Sequence, residues 1–270
     1  MPAPAQTPVL HFQTIQENTM LNKSIMTAIA AVGLGAASFG AHAYTTFSGI
    51  DADGSGGTRA SFTNSEAAQA SFLSFLQGVG TETFEGIPAG TTPPIGLVFP
   101  GAGAATLTGS ATVVFQGAGT NGVGRYPHSG VHFVETSSTS FGVTFGSNVG
   151  AFGFFGMDIG EFGGDLWIRV HKAGGGSEDI DVPNVPATPF QDGSALYFGL
   201  IATSAAEEFT SIDFFDTNPG GGDFFAFDDM TVGSLQQVCQ TGCNVPEPGS
   251  LALGGLALLG LGAARRRKNG

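Results

Sequence analysis

Short runs of alternating apolar and polar residues occupy most of the chain from residue 81 onward. The runs are rich in Val, Ile, Phe and Thr, and clusters of Gly, Pro, Asn and Asp separate them. The predicted strands cover residues 81–85, 97–99, 104–107, 111–116, 131–135, 140–145, 149–157, 166–171, 195–201, 209–215 and 224–232. Because no helical pattern lies between successive strands, a parallel βαβ sheet is disfavoured. The sequence therefore predicts an all-β fold, an antiparallel β-sandwich or jelly roll.

One short helix is predicted before the strands. Thr63 and Glu66 have the spacing of a capping box, and the helical pattern ends before Gly78. Phe72 and Leu76 fall on one face of this helix, one turn apart. We therefore expect this face to pack against the sheet.

The N-terminal region has the features of a cleavable signal peptide. Residues 1–19 fit neither a signal peptide nor a folded element, so they are predicted to be disordered or to precede the true start. Residues 20–43 supply a lysine, an apolar stretch and the small residues Ala41 and Ala43 at a cleavage position. Signal peptidase is expected to cut after Ala43, which makes Tyr44 the first residue of the mature domain.

The C-terminal tail has three parts in a fixed order. An extended segment comes first, an uncharged apolar run follows, and a basic cluster ends the chain. These parts are Val245, Pro246, Glu247 and Pro248, then residues 249–264, then Arg265, Arg266, Arg267 and Lys268. The uncharged run is about 25 Å long as a helix at ~1.5 Å per residue, which is marginal for a bilayer core of about 30 Å. The order predicts a hydrophobic anchor helix with its basic end in the cytoplasm.

This tail resembles the PEP-CTERM sorting signal of exopolysaccharide-producing bacteria. The resemblance implies recognition by an exosortase, a membrane protease that cuts near the Pro-Glu-Pro sequence. It implies an exported precursor that is anchored transiently in the inner membrane. The mature protein would then reach the cell surface or the extracellular matrix. The alternatives are an ordinary tail anchor and a buried C-terminal helix.

Stretches within residues 81–233 resemble the ectodomains that often accompany such tails. The stretches are residues 83–86, 152–166 and 225–233. The resemblance implies a jelly roll similar to carbohydrate-binding modules, whose first and last strands often share a structural calcium. Carried over to this chain, it makes Glu85, Asp228 and Asp229 the candidate calcium ligands. Adjacent residues of a regular strand point to opposite faces, so only one of the two aspartates would coordinate. Solvated edge carboxylates are the alternative.

Charge limits what the exported domain can bind. The chain carries 9 Lys and Arg against 22 Asp and Glu, a net charge of −13. Within residues 44–244 the only basic side chains are Arg59, Arg125, Arg169 and Lys172. Such a domain repels nucleic acid and anionic membrane surfaces, which bind through Lys and Arg. It would attract divalent cations, and calcium is the only cofactor predicted.

The two cysteines, Cys239 and Cys243, precede the tail. In an exported protein this spacing predicts a small disulfide loop. A redox CxxC pair would need two intervening residues, and a metal site would need two further ligands nearby.

The predicted organisation of the chain is a start region at 1–19, a signal peptide at 20–43, a Gly-rich lead with the helix at 44–80, a β-sandwich at 81–236, a Cys loop at 237–244 and the sorting signal at 245–270.

No motif of a catalytic class stands out. The chain has no GxSxG elbow, P-loop or dinucleotide fingerprint. His128 and His132 have the spacing of zinc ligands on a strand, but no HExxH helix accompanies them, and two surface histidines are the simpler interpretation. Trp167, the single tryptophan, is either a platform for a sugar ligand or part of the core.

The sequence therefore predicts a non-enzymatic protein of the cell surface or extracellular matrix. Its expected role is structural or adhesive, in a biofilm, with exopolysaccharide as the candidate ligand. The alternatives are an extracellular hydrolase that acts on polysaccharide, because the many acids offer carboxylate pairs, and an ice-binding type of surface protein. Exosortase and signal peptidase are the predicted processing partners.

Overall fold

The described part of the chain lies between the predicted signal peptide and the predicted sorting signal. The computed structural model describes residues 43–52, 57–137, 139–160, 165–183, 193–217, 224–239 and 243. The signal-peptide residues before Ala43 and the whole tail after Cys243 lie outside the described residues, so the anchor helix stays a prediction. No helix of the described part is long and apolar enough to cross a membrane.

Strands dominate the described residues, and one α-helix precedes all but the first of them. The elements are β1 (Tyr44–Asp51), α1 (Thr63–Leu73), β2 (Gly80–Glu82), β3 (Ile95–Phe99), β4 (Gly103–Thr108), β5 (Ala111–Phe115), β6 (His132–Ser137), β7 (Gly142–Val149), β8 (Ala151–Met157), β9 (Leu166–Lys172), β10 (Ser177–Asp181), β11 (Ala195–Ala202), β12 (Phe209–Asp216) and β13 (Phe224–Gly233). Short 3₁₀-helices lie at Ala205–Glu207 and Leu235–Gln237.

The strands form two antiparallel sheets, which confirms the predicted fold class. The seven-stranded sheet has the order β1-β11-β8-β13-β6-β5, and β2 pairs with β13 outside this path. The six-stranded sheet has the order β10-β9-β12-β7-β4-β3. Fully buried phenylalanines fill the main core, among them Phe152, Phe154, Phe198, Phe225 and Phe227.

Two strands, β1 and β10, were absent from the sequence prediction. The segment of β1 was interpreted as a Gly-rich lead, yet it pairs with β11 over its whole length, from Tyr44 to Asp51. The β10 sequence, Ser177–Asp181, is almost entirely polar, and it pairs with β9. Both lie at an edge of their sheet. Edge strands bury fewer side chains, so they show little of the apolar alternation on which strand prediction depends.

The helix α1 is capped by a carboxylate from β1 rather than by its own residues. The N-cap residue is Phe62, whose side chain forms no hydrogen bond with the helix, so the predicted capping box of Thr63 and Glu66 is wrong. Asp51 instead accepts hydrogen bonds from the backbone N–H groups of Asn64 and Ser65, at 3.0 and 2.9 Å, and from the Ser65 hydroxyl at 2.6 Å. Burial acts to raise the pKa of Asp51, but these hydrogen bonds outweigh it and hold the pKa below its usual value.

The face of α1 that contains Phe72 packs on the seven-stranded sheet, as the sequence predicts. Phe72 is fully buried against two glycines of the sheet. A Cβ atom at Gly199 would lie 2.7 Å from the Phe72 ring, and one at Gly153 would lie 3.1 Å from it. The main contacts of α1 are with β1, β11 and β8. The helix therefore covers the outer face of the seven-stranded sheet and not that of the six-stranded sheet.

Replacing Asp51 by Ala is expected to lower the free energy of unfolding by about 1–2 kcal/mol, because two helical N–H groups lose their acceptor. Chemical denaturation at pH 7 measures this change. The folded-state pKa of Asp51 is depressed, so its contribution is present above the unfolded pKa and is lost as the pH falls through the folded pKa. The variant and the parent protein should therefore converge in acid.

The matched control is Thr63→Ala, at an exposed position that begins the same helix. It should change the free energy of unfolding by less than about 0.5 kcal/mol, as ordinary surface substitutions do. A loss at Thr63 as large as that at Asp51 would contradict the long-range cap.

Candidate functional site

The outer face of the six-stranded sheet carries aromatic and polar side chains in alternation along β9. Every second side chain of this strand is aliphatic and buried in the core. The intervening side chains therefore face outward, because successive residues of a strand point to opposite faces. These outward residues are Trp167, Arg169 and His171.

Trp167 and Phe215 form a stacked aromatic pair, here named the aromatic platform. They lie opposite each other in the register of β9 and β12. Their ring centroids are 6.3 Å apart, and the ring planes meet at 26°. Both side chains are partly exposed, but the Trp167 Nε1 atom is buried and has no hydrogen-bond partner among the described residues. The structure therefore places Trp167 on the sheet surface rather than in the core between the sheets.

Arg169 lies beside the aromatic platform in a row of opposite charges. Its cross-strand neighbours are Asp179 on β10 and Asp213 on β12. The guanidinium donates hydrogen bonds of 2.6 and 2.8 Å to the two oxygens of Asp179, and it lies 5.2 Å from the Phe215 ring centroid. The hydrogen bonds from Arg169 lower the pKa of Asp179. The bidentate pair holds Arg169 in one orientation over the ring.

A third row extends the polar groups across the face. His171 Nε2 lies 2.7 Å from an Asp213 carboxylate oxygen. Ser211, Thr144 and Thr106 continue this row across β12, β7 and β4. The face thus presents hydroxyl, carboxylate, imidazole and guanidinium groups on paired strands, which hold side chains more firmly than loops do.

Two carboxylates next to Trp167 form no ion pair with a basic group among the described residues. Asp181 is the cross-strand neighbour of Trp167 on β10, and Asp165 precedes Trp167 by two positions. Burial raises the pKa of Asp181, and the negative charge of Asp165 raises it further. The two carboxylates are therefore close enough to repel each other at the Trp167 end of the face.

Sequence analysis singled out Trp167 but missed its neighbours on the sheet. Phe215 and Arg169 lie on strands that were predicted, so the alternation within those strands would have placed them outward. The facing acids Asp179 and Asp181 lie on β10, which carries no apolar alternation and was not predicted.

Glu85, a predicted calcium ligand, holds the loop that precedes β6. One of its carboxylate oxygens accepts hydrogen bonds of 2.7 Å from the backbone N–H groups of both Val131 and His132. The other oxygen lies 3.4 Å from His132 Nδ1. Desolvation acts to raise the pKa of Glu85, but the two backbone hydrogen bonds lower it overall.

Asp228 and Asp229 hold the preceding part of the same loop, and both do so with their side chains. Asp228 accepts backbone hydrogen bonds from His128 and Ser129, at 2.8 and 3.1 Å. Asp229 accepts from the Ser129 hydroxyl at 2.7 Å and contacts His128 Nδ1 at 2.5 Å. The expectation that the two aspartate side chains point to opposite faces was wrong. A register shift follows Asp228, and the backbone of Asp229 has a φ of +47°. Such a bulge changes the direction in which the side chains point.

These contacts leave the calcium site as a prediction. Among the described residues, no group of three or more His, Cys, Asp or Glu side chains is arranged to hold a metal ion. Burial raises the pKa of Asp228, and the charge of Asp229 raises it further. Ca²⁺ takes six to eight oxygen ligands, so these carboxylates would have to bind it with the lone pairs that their N–H donors leave free, together with further oxygen ligands.

His128 and His132 do not form a shared metal site in the described structure. His128 stacks on Phe155 with 3.5 Å between ring centroids, and it lines a cavity of about 290 Å³ together with Tyr126. His132 instead makes an edge contact with Phe115, at 5.5 Å between centroids. The first histidine therefore belongs to the packing of the seven-stranded sheet.

The cysteines form a disulfide that fastens the end of the domain to α1. Cys239 and Cys243 are joined, with 5.2 Å between their Cα atoms. Their backbone N–H groups donate hydrogen bonds of 2.8 Å to the carbonyls of Phe75 and Ser74, just after α1.

Of the predicted processing residues, only Ala43 is described, and its carbonyl accepts a 3.2 Å hydrogen bond from Thr203. The others, from Ala41 and from the tail, lie outside the described residues.

Comparisons with known proteins assign the tail. A family model described as the PEP-CTERM protein-sorting motif matches residues 244–268. None of the curated proteins compared with this sequence matches it significantly.

Solved structures resemble parts of the chain only weakly. They include the K2 cleaved adhesin domain of Lys-gingipain, with a TM-score of 0.34, 14% identity, and coverage of 57% of this chain and 97% of that chain. The C-terminal family 22 carbohydrate-binding module of Clostridium thermocellum Xyn10B has a TM-score of 0.34, 12% identity, and coverage of 61% and 96%. TmCBM61, in complex with β-1,4-galactotriose, has a TM-score of 0.25, 16% identity, and coverage of 57% and 99%. Similarity at this level assigns no function to the β-sandwich, whereas residues 244–268, directly after the Cys239–Cys243 loop, are a PEP-CTERM protein-sorting motif.

Proposed function

We propose that this chain is an exported protein of the cell surface or extracellular matrix whose β-sandwich binds carbohydrate. The sorting motif at residues 244–268 supports export and processing by an exosortase. The single observation that supports carbohydrate binding is the aromatic platform of Trp167 and Phe215, two partly exposed rings on the outer face of the six-stranded sheet. Its role would be structural or adhesive, with exopolysaccharide as the ligand.

Sugar rings bind well to such a surface because they have apolar C–H faces and polar edges. The C–H face of a sugar would cover the exposed part of Trp167 and Phe215, removing apolar area from water. The hydroxyl groups at its edge would reach charged and hydroxyl side chains in the neighbouring rows, such as Asp181 and Asp213. Hydrogen bonds to charged groups are stronger than those between neutral groups.

The second candidate is a hydrolase that acts on polysaccharide. The observation that favours it is the proximity of Asp165 and Asp181, with the pKa of Asp181 raised by burial and by Asp165. A glycosidase needs one carboxyl group with a raised pKa as its acid and a second carboxylate as base or nucleophile. Release of reducing ends from a bound polysaccharide, lost in Asp181→Asn, would establish this activity; binding without release supports the binding protein.

Trp167→Ala is expected to weaken retention of the mature protein on its native exopolysaccharide by about tenfold or more. Apolar area removed from water is worth ~25 cal/mol per Å², so a tenfold change in affinity, about 1.4 kcal/mol, corresponds to roughly 55 Å² of covered ring surface. Affinity electrophoresis or calorimetry with the purified polysaccharide measures the change.

Phe115→Ala is the matched control, because Phe115 is 58% exposed but lies on β5 of the other sheet. It should leave binding unchanged. Equal loss in both variants would contradict a specific role for the aromatic platform.

Processing is expected at both ends of the precursor. Intact-mass analysis of the extracellular form should show a start at Tyr44 and the absence of Arg265, Arg266 and Arg267. Replacing Pro246, Glu247 and Pro248 by Ala should leave the protein in the inner membrane. A mature extracellular form that retains the basic C-terminus would contradict exosortase processing.

Calcium binding at Glu85, Asp228 and Asp229 is a separate proposal, which the high negative charge of the chain supports. At a hundredfold excess over Kd, calcium would add about 2.7 kcal/mol, or roughly 5–10 °C in Tm at ~2–4 °C per kcal/mol. The shift should exceed that in magnesium and disappear in Glu85→Gln. Identical melting in EDTA and in calcium would mean that the N–H donors alone hold the loop.

A further inference from the structure

The Arg169 side chain is held by carboxylates of its own row and by an aromatic ring of the next row. Asp179 binds the guanidinium from one side, Asp213 is its neighbour on the other, and the cation lies over Phe215. A cation over an aromatic face is attracted by the ring electrons, and the facing carboxylates add charge attraction. Aromatic and acidic groups of this face therefore already hold one cation.

The next row along the strands has the same kinds of groups but no cation of its own. It consists of Asp181, Trp167 and Phe215, aligned across β10, β9 and β12. Asp165 adds a second carboxylate at the same end of the face. Neither carboxylate is ion-paired to Arg, Lys or His within the described residues.

We propose that the aromatic platform selects polysaccharide with free amino groups, and that a sugar ammonium binds beside Asp165 and Asp181 against the ring of Trp167. This inference rests on the proposed carbohydrate-binding function and names the class of its ligand. The ammonium would contact a carboxylate and an aromatic ring together, as the Arg169 guanidinium contacts Asp179 and Phe215.

The charge around this position supports the choice of an amine over the other common substituents of sugars. Burial and the charge of Asp165 disfavour the ionised form of Asp181, and a bound cation would offset both. A uronic acid would bring a third negative charge to the same end of the face. An N-acetyl group is neutral, so it would gain nothing from the two carboxylates.

Three β-1,4-linked hexasaccharides with the same backbone test this inference. They are cellohexaose, the N-acetylglucosamine hexamer and the glucosamine hexamer, which differ at C2 by a hydroxyl, an acetamido and an amino group. Calorimetry with the mature protein should show that the glucosamine hexamer binds about tenfold tighter than the other two at a pH where its amines are protonated. The preference should vanish when the pH is raised until the amines are neutral.

Asp165→Asn and Asp181→Asn should each remove most of this preference. The control is Glu66→Gln, which deletes the same charge from an exposed side chain on α1, over the other sheet. Preference that survives in Glu66→Gln but not in the two Asn variants supports the ammonium position. Equal losses in all three would reveal general charge attraction and overturn it.

The same experiment separates this inference from the proposed function. If all three hexasaccharides bind equally and Trp167→Ala weakens all of them, carbohydrate binding stands and amine selectivity is wrong. If the glucosamine hexamer binds tightest but Trp167→Ala has no effect, the amine lies elsewhere and the ammonium position is wrong. If none of the hexasaccharides binds, the ligand class named here is wrong, and the result with native exopolysaccharide decides the proposed function.

Discussion

The packing of α1 on the seven-stranded sheet creates the main difference between the two outer faces of the sandwich. Phe72 enters a space that exists only because Gly153 and Gly199 lack side chains. Asp51 fixes the start of the same helix from the edge strand β1. With one sheet covered in this way, the outer face of the other sheet is free to carry Trp167 and its neighbours.

Acidic residues have two different structural roles in this strongly anionic chain. Asp51 and Glu85 accept hydrogen bonds from backbone N–H groups, so their negative charge is balanced by fixed dipoles. Asp228 accepts such bonds too, although burial and the charge of Asp229 raise its pKa. Asp165 and Asp181 lack such a balance from basic side chains in the described part of the chain. This contrast distinguishes carboxylates that build the fold from carboxylates that remain available to a ligand.

Strand pairing explains why the sequence predicted the fold better than the site. Strands such as β9 bury alternate side chains and show a period of two, whereas β8, β11 and β13 are buried almost throughout and appear as continuous apolar runs. Both patterns predict strands, and these strands were predicted. The edge strand β10, Ser177–Asp181, buries little and shows neither pattern. It nevertheless supplies Asp179, which lies opposite Arg169, and Asp181, which lies opposite Trp167. Likewise, the bulge after Asp228 depends on pairing with β8, which local sequence does not specify. The bulge thus depends on a partner far apart in sequence, whereas β10 pairs with the preceding strand and was missed because its own sequence is polar.

The position of the Cys239–Cys243 loop gives the sorting motif a defined relation to the folded domain. Every described strand precedes this loop, and the loop is bound to the end of α1 by the backbone N–H groups of both cysteines. Removal of the chain after residue 244 would therefore cost the sandwich none of its described strands. A disulfide that closes the domain next to the motif also limits fraying of the new C-terminus. The architecture thus suits a protein whose sorting segment is discarded while its folded domain is retained.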